Sequence, residues 1–174
     1  MNCKSCNKSF LLLSREYKCC MCNSIICSNC VSKIKRESPL YDKAYEIFSP
    51  LSIVNFQNTS KWNGSLFFCP TCRARFQQEY QMLLECEYNL DNVRIFSINY
   101  KGKIPKSTLG GRIVKTNFYK NRCDAEYDLK LITKYLGGTS IINVKYNKDT
   151  DSRQTDSGGE YYYTIWQAEG EVIL

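Results

Sequence analysis

Eight of the eleven cysteines in this 174-residue chain fall into four Cys-x-x-Cys pairs: Cys3/Cys6, Cys19/Cys22, Cys27/Cys30 and Cys69/Cys72. Two thiolates at that spacing can grip one metal ion, and a structural Zn²⁺ takes four ligands in a tetrahedron. Four pairs therefore supply two all-cysteine centres with no ligand left over. The spacers between pairs are twelve, four and thirty-eight residues. Four residues between Cys22 and Cys27 are too few to close a site comfortably, so neighbouring pairs are assigned to different ions. The expected sets are Cys3, Cys6, Cys27 and Cys30 on one zinc, and Cys19, Cys22, Cys69 and Cys72 on the other. Cys20 lies between two ligands and is read as a spare thiol, because Cys19 preserves the two-residue spacing of the other pairs.

Only Cys86 and Cys123 lie beyond residue 72. The chain thus reads as a metal-stapled finger over residues 1–86, with an insertion at 39–66, followed by a domain over 90–174 that folds on its own core. A hydrophobic content of 43% excludes general disorder. The first residues lack the apolar run of a signal peptide, and no stretch of about 20 apolar residues could span a bilayer. Cysteines at ligand spacing without a secretory signal point to free thiolates in a reducing compartment, so a cytoplasmic location is expected.

The formal charge of +7 invites a polyanion partner. Residues 1–86 carry eleven Lys/Arg and six Asp/Glu. Eight thiolates with two divalent ions remove four charges from that half, and the loaded protein falls to about +3, too little for long-range steering to nucleic acid. The chain has no histidine. A histidine general base and a histidine-ligated catalytic zinc are therefore both excluded. Closed four-thiolate centres leave no position for an activated water, and the expected role of the metals is structural, in a protein that is not an enzyme.

Along the chain, Phe10 and the apolar residues 11–13 suit a hairpin beside the first pair. Ser38-Pro39 opens a short helix with Leu40, Ala44, Ile47 and Phe48 at helical spacing. Residues 51–56 read as a strand, and Asn63-Gly64 as a turn leading into residues 66–68. After Cys72 an apolar stripe of Phe76, Tyr80, Leu83 and Leu84 predicts a helix leading out of the finger. Strands are expected at 93–100 and 112–119, then a helix capped by Asp124 and ended by Gly137-Gly138. Alternating strands should cover 140–146 and 161–165, with a last edge strand at 171–174. This makes four or five strands and one helix, an α+β layer. The polar segment 147–160 places Asp149, Asp151 and Glu160 as in a calcium loop, but Arg153 and Gln154 occupy a ligand position and the glycine position, so a solvated hairpin loop is expected instead.

The cysteine spacing, with Phe10 after the first pair and a helix after the last, is similar to the FYVE-type zinc finger over residues 3–85. The resemblance implies a treble-clef-like cross-brace, in which two zincs are held by alternating pairs. Cys69-Pro70-Thr71-Cys72 also looks like the closing pair of a RING finger, which would imply a ubiquitin ligase module; the histidines customary in RING and PHD fingers are absent. FYVE domains that bind phosphatidylinositol 3-phosphate carry R-[RK]-H-H-C-R, where this chain reads Arg15-Glu16-Tyr17-Lys18-Cys19-Cys20. The likeness therefore implies the fold and the metal ligands without that lipid specificity. The segment from Asp124 to Asn147 followed by 159–174 resembles the core of YbjQ-like domains, described as heavy-metal binders that form ring-shaped oligomers. Cys123 is the one soft ligand in this half, which leaves a partner-binding or homo-oligomeric role as the implication.

Together these readings describe a non-enzymatic adaptor acting through a protein partner. The alternatives are recruitment to anionic lipid through Arg15, Lys18, Lys33, Lys35 and Arg36, with Leu11, Leu12 and Leu13 inserting, and a RING-like ubiquitin ligase module.

Overall fold

Two short hairpins frame the cysteines. Strands β1 (Glu16–Lys18) and β2 (Ile25–Cys27) pair antiparallel, Tyr17 opposite Ile26. Strands β3 (Ser32–Ile34) and β4 (Leu66–Phe68) form a second pair, Lys33 opposite Phe67. The computed structural model describes residues 2–10, 15–58, 64–105 and 111–174. The leucine run at 11–13 lies outside the described residues.

Between β3 and β4 the chain forms helix α1 (Pro39–Lys43), with proline at its first position, and continues as a π-helical turn, Ala44–Phe48. Ala44, Ile47 and Phe48 are buried. Residues 51–56 are not a strand. The amide of Ile53 donates to Phe48 O at 2.9 Å, and Ser52 takes a left-handed φ of 57°. The Ser52 and Ile53 amides are thus spent on local turns and the Asn55 amide on Cys20 O at 2.6 Å, and Phe56–Asn58 follows as a 3₁₀ turn. Helix α2 (Pro70–Glu87) begins inside the last cysteine pair. Its Phe76 meets Phe48 edge-on and Phe68 at a tilt, with ring centroids 5.7 and 5.0 Å away. Such aromatic contacts give a small domain an apolar core beside its metal ligands.

The chain divides into two units, Met1–Met82 and Leu83–Leu174, and α2 starts in the first and ends in the second. The second unit holds a four-stranded mixed sheet of β5 (Arg94–Ser97), β6 (Arg112–Lys115), β7 (Ser140–Gln154) and β8 (Glu160–Ile173), in the order β5-β7-β8-β6. Strand β5 runs parallel to β7, and the other pairs are antiparallel. Helix α3 (Arg122–Tyr135) covers one face through Ala125, Leu129 and Ile132, all fully buried with Ile141, Ala168 and Val172 of the sheet. Gly170 is required there, since a Cβ would come within 2.8 Å of Ile141 Cγ1.

Three expectations for this half are corrected. Asn121, not Asp124, holds the N-cap position of α3, and its side-chain amide donates to Asp124 at 3.1 Å. The polar segment 147–160 is mostly strand, with β7 and β8 paired out to Gln154 opposite Glu160. Cross-strand contacts support that ribbon: Tyr163 donates to Asp151 at 2.7 Å, and Ser152 donates to Glu160 at 2.7 Å. The residues at 171–174 are not a separate strand, because β8 continues unbroken to Ile173. Described residues thus form an α+β fold in both units.

Candidate metal centres

The first two cysteine pairs share one local design. After each pair comes an asparagine with left-handed backbone, Asn7 at φ 57° and Asn23 at φ 59°. Asparagine tolerates that conformation better than other residues bearing a Cβ. It turns the chain so that the Asn7 amide donates to Cys3 O at 2.9 Å and the Asn23 amide to Cys19 O at 3.0 Å. Both cysteines of a pair then point the same way. The third and fourth pairs use a helical turn instead. The amides of Cys30 and Val31 reach Cys27 O at 3.1 Å, and the Arg73 amide reaches Cys69 O at 2.8 Å in the first turn of α2.

Each cluster takes one pair of either kind. The sulfurs of Cys3, Cys6, Cys27 and Cys30 lie within 4.8 Å of one another, and so do those of Cys19, Cys22, Cys69 and Cys72. The two sets alternate along the chain. A tetrahedron with metal–sulfur bonds of about 2.3 Å has edges of about 3.8 Å. Cys6 and Cys27 sulfurs are 3.8 Å apart, and Cys22 and Cys69 sulfurs 3.9 Å. Both the donor set and its dimensions therefore fit a metal ion in each tetrad.

Backbone amides steady the sulfurs. Cys27 N–H donates to Cys3 Sγ at 3.4 Å, and Cys69 N–H to Cys19 Sγ at 3.5 Å. Burial opposes ionisation of Cys3, but the amides of Cys27, Cys6 and Ser5 and the Cys6 thiol bring it down to about 6. Burial likewise opposes ionisation of Cys22, while the Ser24 hydroxyl and amide, helped by Cys72 and Cys19, lower it to about 7. Hydrogen bonds to the sulfurs of Cys6 and Cys27, with burial, push Cys30 up to about 12. Burial first, then the Cys69 and Cys22 sulfurs, raises Cys72, and burial also raises Cys69. Each metal-free tetrad thus combines a thiol that ionises readily with one that holds its proton. A divalent ion would displace those protons.

Cys20 belongs to neither tetrad, and its sulfur accepts from the Phe67 amide. It is fully buried. Burial pushes its thiol up to about 11. Asn7, Asn23, Ser24 and the Phe67 amide were not marked by ligand arithmetic, although the repeated Cys-x-x-Cys-Asn string carries the asparagine signal.

Arg15 and Lys18 are exposed at the two ends of β1, Lys33 on β3, and Lys35 and Arg36 in the turn before α1. Arg36 lies over Gly64, whose added Cβ would meet Arg36 Cδ at 3.2 Å. Cys86 is partly buried and Cys123 is exposed. No helix among the described residues is long and apolar enough to cross a membrane.

Fold and site together define a cysteine-rich α+β protein with two cysteine tetrads that could each hold a metal ion. No family model, curated protein or solved structure matches the chain.

Proposed function

We propose that the first unit is a two-zinc, FYVE-like cross-brace finger whose metals are structural, and that the protein is a non-enzymatic adaptor acting through protein contacts. The observation that carries this reading is the closure of both tetrads by four sulfurs each. Four thiolates satisfy a tetrahedral Zn²⁺ and leave no site for substrate or water. Zinc is favoured over harder ions by the all-sulfur donor set. The departure from the phosphoinositide motif at Glu16 and Tyr17 favours a protein partner over a lipid headgroup. Elemental analysis of the purified full chain tests the reading. Two zincs per chain, together with no autoubiquitination across a panel of conjugating enzymes, is the expected result; one metal or none, or ligase activity, would overturn it.

A further inference from the structure

Strand β4 has two sides, and Cys20 occupies one of them. The Phe67 amide donates to Cys20 Sγ at 3.3 Å, while Phe67 O accepts from the Cys20 amide at 2.8 Å. In an antiparallel ladder the N–H and C=O of one residue point the same way, so Phe67 turns its backbone groups away from β3. Lys33 and Phe67 are consequently a non-hydrogen-bonded pair. Lys33 must then direct its own N–H and C=O outward, along the edge of β3 that carries no strand among the described residues. Neither group has a backbone partner among the described residues.

That edge borders a groove of about 390 Å³ lined by Lys33, Ile34, Lys35, Glu37, Ser38, Leu40 and Arg73. Three cations face one carboxylate. Among the described residues none of the three forms an ion pair. The Arg73 Nη1 is buried without an acceptor, its guanidinium resting 5.9 Å from the Phe76 ring. A guanidinium partly removed from water gains strongly from an anionic neighbour. Leu40 supplies partly exposed apolar surface beside the charges.

We propose that this edge and groove take an extended, acidic segment of a partner protein, which adds to β3 as a strand. This rests on the adaptor reading above. Main-chain bonds to Lys33 would supply sequence-independent affinity, alternate acidic side chains would meet Lys33, Lys35 and Arg73, and an apolar residue would sit on Leu40. Charge complementarity selects the partner, because a basic or neutral strand would leave the three cations unpaired.

The test uses the zinc-loaded full chain and a fluorescein-labelled peptide of about ten residues alternating Glu and Val, read by anisotropy. Saturable binding is expected, weakened at least about tenfold by the paired variant Lys33→Glu, Lys35→Glu and weakened several-fold by about 0.5 M salt. The same peptide N-methylated at alternate amides should not bind. Equal binding of the methylated peptide would overturn strand addition, and absence of saturable binding would overturn the site. Phosphatidylserine vesicles that sediment the chain with the same dependence on Lys33 and Lys35 would overturn it in favour of a membrane. A dimer that dissociates in the paired variant would overturn it in favour of a second copy. Metal content measured on the same samples separates the two readings: two zincs with no peptide binding would defeat only the docking proposal.

Discussion

Cys20 and Phe67 are bound to each other twice, the Phe67 amide donating to the Cys20 sulfur at 3.3 Å and the Cys20 amide to the Phe67 carbonyl at 2.8 Å. This ties the second cysteine pair to β4, the strand that delivers Cys69. Cys20→Ala removes the sulfur and leaves the Phe67 amide without that acceptor inside the protein. A buried unpaired donor costs about 1–3 kcal/mol. The variant should therefore unfold at lower urea concentration while still carrying two metals per chain. Cys19→Ala should lose one metal. Urea unfolding and elemental analysis on the two variants check the contrast.

Metal binding should strengthen steeply with pH. Each of the eight cysteines must surrender its proton to become a ligand. The slope of log affinity against pH should thus be positive through pH 5–8 and flatten only above the ordinary thiol range of about 8.5. Competition with a chromophoric chelator across that range measures it, and a flat profile would contradict the thiolate assignment.

Removal of metal should be felt first by the finger. Strong chelator should collapse amide dispersion in residues 1–82, which lose the constraint holding β1 to β4, because small domains of this kind draw folding energy from the ion itself. Leu83–Leu174 contains a separate apolar core around Leu129, Ile132, Ile141 and Val172 and should keep its sheet signals. Amide spectra recorded before and after chelation, and again after zinc is restored, report both halves.

In the second unit, Glu169 accepts from Lys115 at 2.8 Å and from Lys145 at 3.1 Å. The Lys115 hydrogen bond, against burial and with help from Lys145, lowers its carboxyl below the usual range. A depressed folded value means the stabilisation is present above the unfolded carboxylate range and disappears as pH falls through the folded one. Both lysines are about half exposed, so Glu169→Gln should cost no more than about 1 kcal/mol at pH 7. Melts of the two proteins should converge near pH 3.

Ligand arithmetic made the tetrads readable, because covalent spacing limits which sulfurs can meet whatever the rest of the chain does. Helix α3 was readable from its stripe, whereas its cap was not, since Asn121 and Asp124 are both good cap residues and only the backbone decides. Residues 51–56 have the composition of a strand, but Ser52 turns the chain before a ladder can start. The ribbon at 147–160 lacked an apolar face to betray its period of two. Its pairing rests on hydroxyl and carboxylate contacts, such as Tyr163 with Asp151, which polar composition disguises as loop.

The alternation of the tetrads also sets an order of assembly during synthesis. The first set is complete once Cys30 has emerged from the ribosome, but the second waits for Cys72. At about 5–20 residues per second, that interval lasts roughly 2–8 s. Throughout it, Cys19 and Cys22 would sit on the loop closed by an ion in the first set. A nascent chain that takes its first ion early would be a half-loaded chelate, with its second pair of thiols presented to whatever metal or oxidant the ribosome's surroundings supply.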